Sequence, residues 1–331
     1  MEEKGIYVKA VVFTRYGSPD VLELKDVEKP TPKANEVLIR VRAASLNDWD
    51  WGAFQGIPFV NRLIFGLFRP RPKKQILGSD VAGRVEAVGR NVRYFRPGDE
   101  VFGDLSGEWG GFAEYVCARE DAVALKAPGM TFEQAAAIPQ AAMLAVQGLC
   151  DVGKIQRGQK VLINGAGGGV GTFAIQIARV YEAELTGVDS PEKLDMLRSM
   201  GVRHVIDYTQ EDFTRNGKAY DLILDVKTNR SIFDCARALS PNGTYVTVGG
   251  DMHRLFQALV VLPWISMTTS KSIRIVALKK NKDLAYMREL FEAGKVVPVI
   301  DGPYALSEVP EAFRYFGEGH HKGKIVITVG Q

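Results

Sequence analysis

Apolar and polar residues alternate with a period of two over 7–13 and 36–43, the signature of strands with one buried face. Turn-forming clusters punctuate the pattern at Gly17-Ser18-Pro19-Asp20, Lys29-Pro30-Thr31-Pro32 and Arg96-Pro97-Gly98-Asp99. Segments 80–89, 112–117 and 122–125 continue it, so residues 6–130 read as a β-rich portion. Beyond Pro128-Gly129 the period changes. Thr131-Phe132-Glu133-Gln134 predicts a capping box opening an alanine-rich helix that runs into Gln147-Gly148. From Lys160 the chain alternates strands (161–163, 184–188, 204–206, 222–225, 244–248) with helices (172–181, 191–200, 232–239). Ser190 is expected to cap the second of these, with Pro191 at its first position. This alternation predicts a doubly wound parallel sheet covered on both faces. A strand at 272–278, helices at 282–293 and 312–316 and a strand at 324–329 complete an α/β chain.

The chain has 331 residues, which favours two domains. Its 42 basic and 39 acidic residues leave a net charge of +3, no footprint for nucleic acid. The basic run Arg69-Pro70-Arg71-Pro72-Lys73-Lys74 reads as a solvated loop. Cys117, Cys150 and Cys235 match no disulfide or zinc spacing. With no apolar leader at 1–5 and no transmembrane segment, a cytoplasmic location is expected. The longest apolar run, 255–267, is broken by Gln257, Pro263 and Ser266 and needs a burial partner: an acceptor site, a dimer face or a membrane.

The strand at 161–163 enters Gly165-Ala166-Gly167-Gly168-Gly169-Val170-Gly171 and then a helix, an arrangement that holds a pyrophosphate. Gly165 serves the turn, Gly168 the approach of the phosphates and Gly171 the helix–strand packing, with Gly169 and Val170 between them. Asp189 ends the next strand, where a carboxylate accepts ribose hydroxyls and repels a 2′-phosphate. It tilts the choice within NAD(P)H toward NADH, although Lys193 stands four residues on.

With these motifs in place, the sequence resembles the medium-chain dehydrogenase/reductase superfamily, in particular its zinc-free quinone-oxidoreductase-like branch. The resemblance rests on Ala43-Ala44-Ser45-Leu46-Asn47 with Asp50, Leu77-Gly78-Ser79-Asp80-Val81-Ala82-Gly83, Pro97-Gly98-Asp99-Glu100-Val101-Phe102-Gly103, Gly111-Phe112-Ala113-Glu114-Tyr115, Ala135-Ala136-Ala137-Ile138-Pro139, the glycine loop and Gly323-Lys324-Ile325-Val326. It implies a GroES-like catalytic domain (1–128 and 279–331) interrupted by a Rossmann domain (129–278), with nicotinamide and substrate in the cleft. It also implies a homodimer joined along dinucleotide-domain sheet edges, with 272–278 at the edge.

In zinc-dependent relatives the positions matching Asn47 and Ser79 carry metal ligands. Here neither is Cys or His, and His204, His253, His320 and His321 show no ligand spacing, so no zinc is expected. Without that Lewis acid, alcohol oxidation gives way to hydride transfer onto a quinone or an α,β-unsaturated carbonyl, a small hydrophobic acceptor. The resemblance makes Asn47 and Asp50 catalytic candidates. It also places Asn47, Gln140 and Met143 beside the nicotinamide. Trp49, Trp51, Phe59 and Phe65 are read as acceptor-binding, in a segment (52–76) expected to cover the cleft. Gly52 stands where some quinone reductases have tyrosine. Ser79, Asp80 and Lys324 are read as structural. Gly249 follows a strand end and joins the cofactor candidates. Competing readings are an enoyl-thioester reductase, using the basic run as a portal, and a non-catalytic dinucleotide-binding regulator.

Overall fold

The computed structural model describes residues 5–249, 257 and 269–330. These residues form two compact units. Unit 1 contains residues up to 140, 280–292 and from 300 onward; unit 2 contains 141–279 and 293–299. Most of the apolar run at 255–267, with Gly250, Asp251 and His253, lies outside the described residues.

In unit 1, β1 (Tyr7–Phe13) and β2 (Leu22–Glu28) form an antiparallel pair. The main sheet has β3 (Glu36–Ser45), β4 (Asp80–Val88), β5 (Glu100–Asp104), β6 (Tyr115–Arg119) and β7 (Ala124–Leu125). Between β3 and β4 lie α1 (Asp48–Gln55) and α2 (Val60–Phe65). The Thr131 box forms as expected. Gln134 N donates to Thr131 Oγ1 at 3.1 Å, Thr131 N donates to Gln134 Oε1 at 2.9 Å, and α3 (Phe132–Ala137) follows. Pro139 starts a separate helix, α4 (Pro139–Val146), which passes into a π-helical turn over Gln147–Val152.

Unit 2 contains β8 (Lys160–Asn164), α5 (Gly169–Val180), β9 (Glu184–Asp189), α6 (Leu194–Ser199), β10 (His204–Asp207), β11 (Tyr220–Asp225), α7 (Ile232–Arg237), β12 (Leu239–Thr247) and β13 (Ser272–Ile275). The six strands are parallel, in the order β10-β9-β8-β11-β12-β13. The expected doubly wound sheet is therefore present, and strand order reverses at β8, directly before the glycine loop. Ser190 departs from expectation: its hydroxyl bonds Glu192 Oε1 at 2.7 Å instead of capping, and α6 begins only after a tight turn over Pro191–Lys193.

The chain returns to unit 1 with α8 (Leu284–Glu292), β14 (Ile300–Ala305), α9 (Val309–Glu318) and β15 (Lys324–Thr328). The unit 1 order is β14-β15-β3-β4-β5-β7, with β6 also paired to β3. The returning β15 thus lies beside β3. Phe54, Phe112 and Phe313 are fully buried and pack edge to face at the centre of this unit's core. Among the described residues no helix is long and apolar enough to cross a membrane.

Replacing Thr131 by Ala removes one half of the capping box and is expected to cost about 1 kcal/mol, read as a lower Tm with an unchanged circular-dichroism spectrum.

Candidate active site

Strand register assembles a polar row inside unit 1. Ser45 stands opposite Asp80, and Asp80 opposite Asp104. Lys324 begins β15, which pairs with the end of β3. Its ammonium donates to Leu46 O at 2.7 Å and Asn47 Oδ1 at 2.6 Å, and lies 3.4 Å from Asp80 Oδ2. Asn47 sits at the head of α1 but does not cap it through its side chain. Its Nδ2 instead donates to Ser79 Oγ at 3.0 Å. Both ends of the amide are held, Nδ2 by Ser79 and Oδ1 by Lys324, and the side chain also hydrogen-bonds the Asp80 carboxyl.

Asp50 is wholly buried. Gly78 N donates to its Oδ1 at 3.0 Å and Ser79 Oγ to its Oδ2 at 3.4 Å. Burial pushes its carboxyl up to about 7, against the Gly78 N–H bond and with help from the Asp80 charge. Burial likewise raises Asp80 to about 6, opposed by the Lys324 ammonium and assisted by Asp104. Asp104 is raised by burial too, against its bonds from Ser106 and the charges of Lys280 and Lys324, and its Oδ2 has no hydrogen-bond partner. Burial thus opposes ionisation of all three carboxyl groups, and the Lys324 ammonium counters that effect.

The acceptor-binding candidates separate. Trp49 and Phe59 are exposed. Phe65 is a core residue, fully buried against Phe13 and Trp109, because α2 turns it inward. Trp51 is half-buried against the core: it packs on Phe54, Phe313 and Phe316, and a side chain at Gly317 would strike it at 2.4 Å. Gly52 is closed to any tyrosine, since a Cβ there would lie 2.7 Å from Asn61 Nδ2 and 2.9 Å from Ile57 O. Asp50, read as catalytic from the sequence, has no surface from which to touch a substrate. Gln140 donates its backbone N–H to Asp80 Oδ1 at 3.2 Å, and its buried Nε2 has no partner.

In unit 2 the glycine loop fits a pyrophosphate. Gly165 has φ +84°, which favours glycine. Gly168 precedes α5, and a Cβ on it would meet nothing closer than 3.8 Å, so its open side faces the helix N-terminus. Gly169 and Val170 are partly exposed there. A Cβ on Gly171 would strike Gly165 O at 2.2 Å, so this glycine serves packing. Asp189 accepts from Gly167 N at 2.7 Å and from Ser190 N at 2.9 Å. Lys193 Nζ lies 3.6 Å from it, and both side chains are buried. Met143 is fully buried in this unit. Gly249 lies beyond β12 in open space, its carbonyl accepting from Thr228 and Thr247.

Sequence reading missed a second buried network. Asp225, at the end of β11, accepts from Asn164 Nδ2 at 2.8 Å, Thr228 N at 2.7 Å and Tyr245 Oη at 2.8 Å. Asn164 is the last residue of β8, so these bonds fix the strand end that launches the glycine loop. Only the position of Asp225 at a strand end of the parallel sheet hinted at this. Among the described residues no group of three or more His, Cys, Asp or Glu side chains is arranged to hold a metal.

Comparison with known proteins agrees with both halves. Residues 33–129 match the alcohol dehydrogenase GroES-like domain, and 200–327 match a family described as zinc-binding dehydrogenase. A 2-methylene-furan-3-one reductase of Solanum lycopersicum is 36% identical over 97% of this chain and 79% of its own length. The chloroplastic NADPH-dependent alkenal/one oxidoreductase of Arabidopsis thaliana is 33% identical over the same shares. The solved quinone oxidoreductase of Coxiella burnetii superposes with a TM-score of 0.86 at 29% identity, covering 98% of this chain and all of its own.

Two substitutions separate binding from folding in the loop. Gly168→Ala is expected to keep Tm and weaken dinucleotide binding about tenfold or more by calorimetry, whereas Gly171→Ala lowers Tm by overpacking. Asp50 supplies a pH test. Its folded carboxyl keeps its proton to higher pH than the unfolded one, so its contribution to stability is full below about pH 4 and is lost as pH rises through about 7. Asp50→Asn is expected to remove that loss: the difference in unfolding free energy between variant and parent rises in the variant's favour from pH 4 to 8 in urea titrations.

Proposed function

This chain belongs to the medium-chain dehydrogenase/reductase superfamily, and from that premise we propose that it reduces a quinone or an α,β-unsaturated carbonyl with NAD(P)H, without zinc. That it is an oxidoreductase follows from the family. The observation that carries the acceptor class is the Asn47 amide, fixed in place between Lys324 and Ser79 at the head of α1.

Bound at the α5 N-terminus and Asp189, the reduced dinucleotide would supply the hydride. The chain's own residues then have two tasks. The α5 N-terminus and Gly168 hold the pyrophosphate, while Asp189 takes the ribose hydroxyls. Asn47 donates to the acceptor's carbonyl oxygen as negative charge develops there, and the Lys324 ammonium polarises the amide that does so. Enones and quinones need no stronger electrophile. The groups around Asn47 are an amide, hydroxyls and the Asp80 carboxyl already beside the Lys324 ammonium, a poor set for zinc. Trp49, exposed two residues from Asn47, offers apolar surface to the acceptor.

NADH is the preferred donor in this reading. Lys193 balances part of the Asp189 charge, so NADPH is the poorer donor rather than an excluded one. The relative named for NADPH makes this a sharp comparison. A homodimer is proposed through β13, which stands at the edge of the unit 2 sheet. A cytoplasmic setting belongs to this reading, on the ground that the spacing of Cys117, Cys150 and Cys235 matches no disulfide framework.

The test is oxidation of NADH and NADPH with 1,4-naphthoquinone, a small enone and an enoyl-CoA. Turnover is expected on the first two, and a preference for enoyl-CoA would replace this reading by the thioester one. Asn47→Ala is expected to lower kcat about tenfold to a hundredfold with dinucleotide Kd unchanged. Asp189→Ser is expected to reduce kcat/KM for NADH about tenfold and reverse the preference toward NADPH.

A further inference from the structure

A second surface of unit 1 is unusual in both polarity and charge. Between β3 and β4 the chain exposes Ile57, Phe59, Val60, Leu63, Leu67 and Phe68. Val60 and Leu63 lie three apart on α2, so they share one outward face, while Phe65 turns in. Leu63 is 58% exposed and Phe68 89%. Burial in the unit's core accounts for none of the six.

Within this segment of the chain the charges have one sign. From Trp51 to Ser79 the sequence holds Arg62, Arg69, Arg71, Lys73 and Lys74 and no acid. Arg62 stacks on Tyr16, and Lys74 lies over Phe65 and Trp109, so these two are tied to the fold. Arg69, Arg71 and Lys73 are exposed immediately after Phe68. In the sequence this run read as a mere solvated loop; the structure sets it directly after projecting apolar side chains.

We propose that this face docks on an anionic lipid surface, with Phe59, Leu63 and Phe68 entering the acyl boundary and Arg69, Arg71 and Lys73 meeting the headgroups. The charge pattern selects the occupant. Apolar side chains with flanking cations are the combination that binds anionic interfaces. A second copy on the same face would set cations against cations. An acidic peptide would meet Phe68 as a projection rather than as a trough able to seat its side chains. The proposal is independent of the acceptor reading, because it concerns attachment and not turnover.

The experiment is sedimentation of the full chain with vesicles of phosphatidylcholine alone or with about 30% phosphatidylglycerol. Binding about tenfold stronger to the anionic vesicles is expected, weakened by high salt. Leu63→Ser/Phe68→Ser and Arg69→Glu/Lys73→Glu should each reduce it about tenfold, with Tm unchanged because all four side chains are exposed. Equal affinity for both vesicles, or none for either, overturns the proposal. So does lipid-free self-association that Phe68→Ser abolishes, which would make this face a contact between copies, or binding to polyglutamate without binding to vesicles.

Discussion

One ammonium among three buried carboxyl groups is the constraint on which unit 1 depends. Lys324 holds the Leu46 carbonyl, the Asn47 amide and the Asp80 carboxyl together. It does so only because the returning strand β15 inserts beside β3, which carries Ser45 opposite Asp80 on β4 and, through β4, Asp104 on β5. Burial raises all three carboxyl groups above their usual range, so each keeps its proton to higher pH than it would in water. The ammonium's bond to the Asn47 oxygen and the Ser79 bond from its nitrogen then orient the residue that would meet the acceptor.

Unit 2 solves a different problem by similar means. Its glycine loop must stay open toward a ligand at Gly168 and closed toward the sheet at Gly171. The Asp225 network holds the end of β8 from below, through Asn164, and ties it to Tyr245 on β12. In both units a buried carboxyl, not a surface one, fixes the geometry of the group expected to touch a ligand. Such groups are costly to bury and are satisfied by several donors each.

The doubly wound sheet was legible because its period is local: a strand, a turn and a helix each fit within a short window. The glycine loop was legible for the same reason. Asn47 could be nominated, but its partners could not. Residues 45, 80, 104 and 324 meet through strand register, which no window of sequence contains. Lys324 and Asp80 therefore read as structural and Asp104 was passed over. Aromatic residues misled in the other direction. α2 turns Phe65 into the core and α1 packs Trp51 against its edge, and the absence of tyrosine at Gly52 is a packing requirement.

The raised carboxyl groups around Lys324 are the claim from which the site's geometry follows, and carbon-13 NMR titration of the aspartate carboxyls measures it directly. The account predicts that the Asp50 and Asp80 signals hold their protonated shifts well above the usual carboxylate range, to about 7 and about 6, and that Lys324→Met drives Asp80 higher still. Titration of Asp50, Asp80 and Asp104 together near pH 4, unmoved by Lys324→Met, would contradict it.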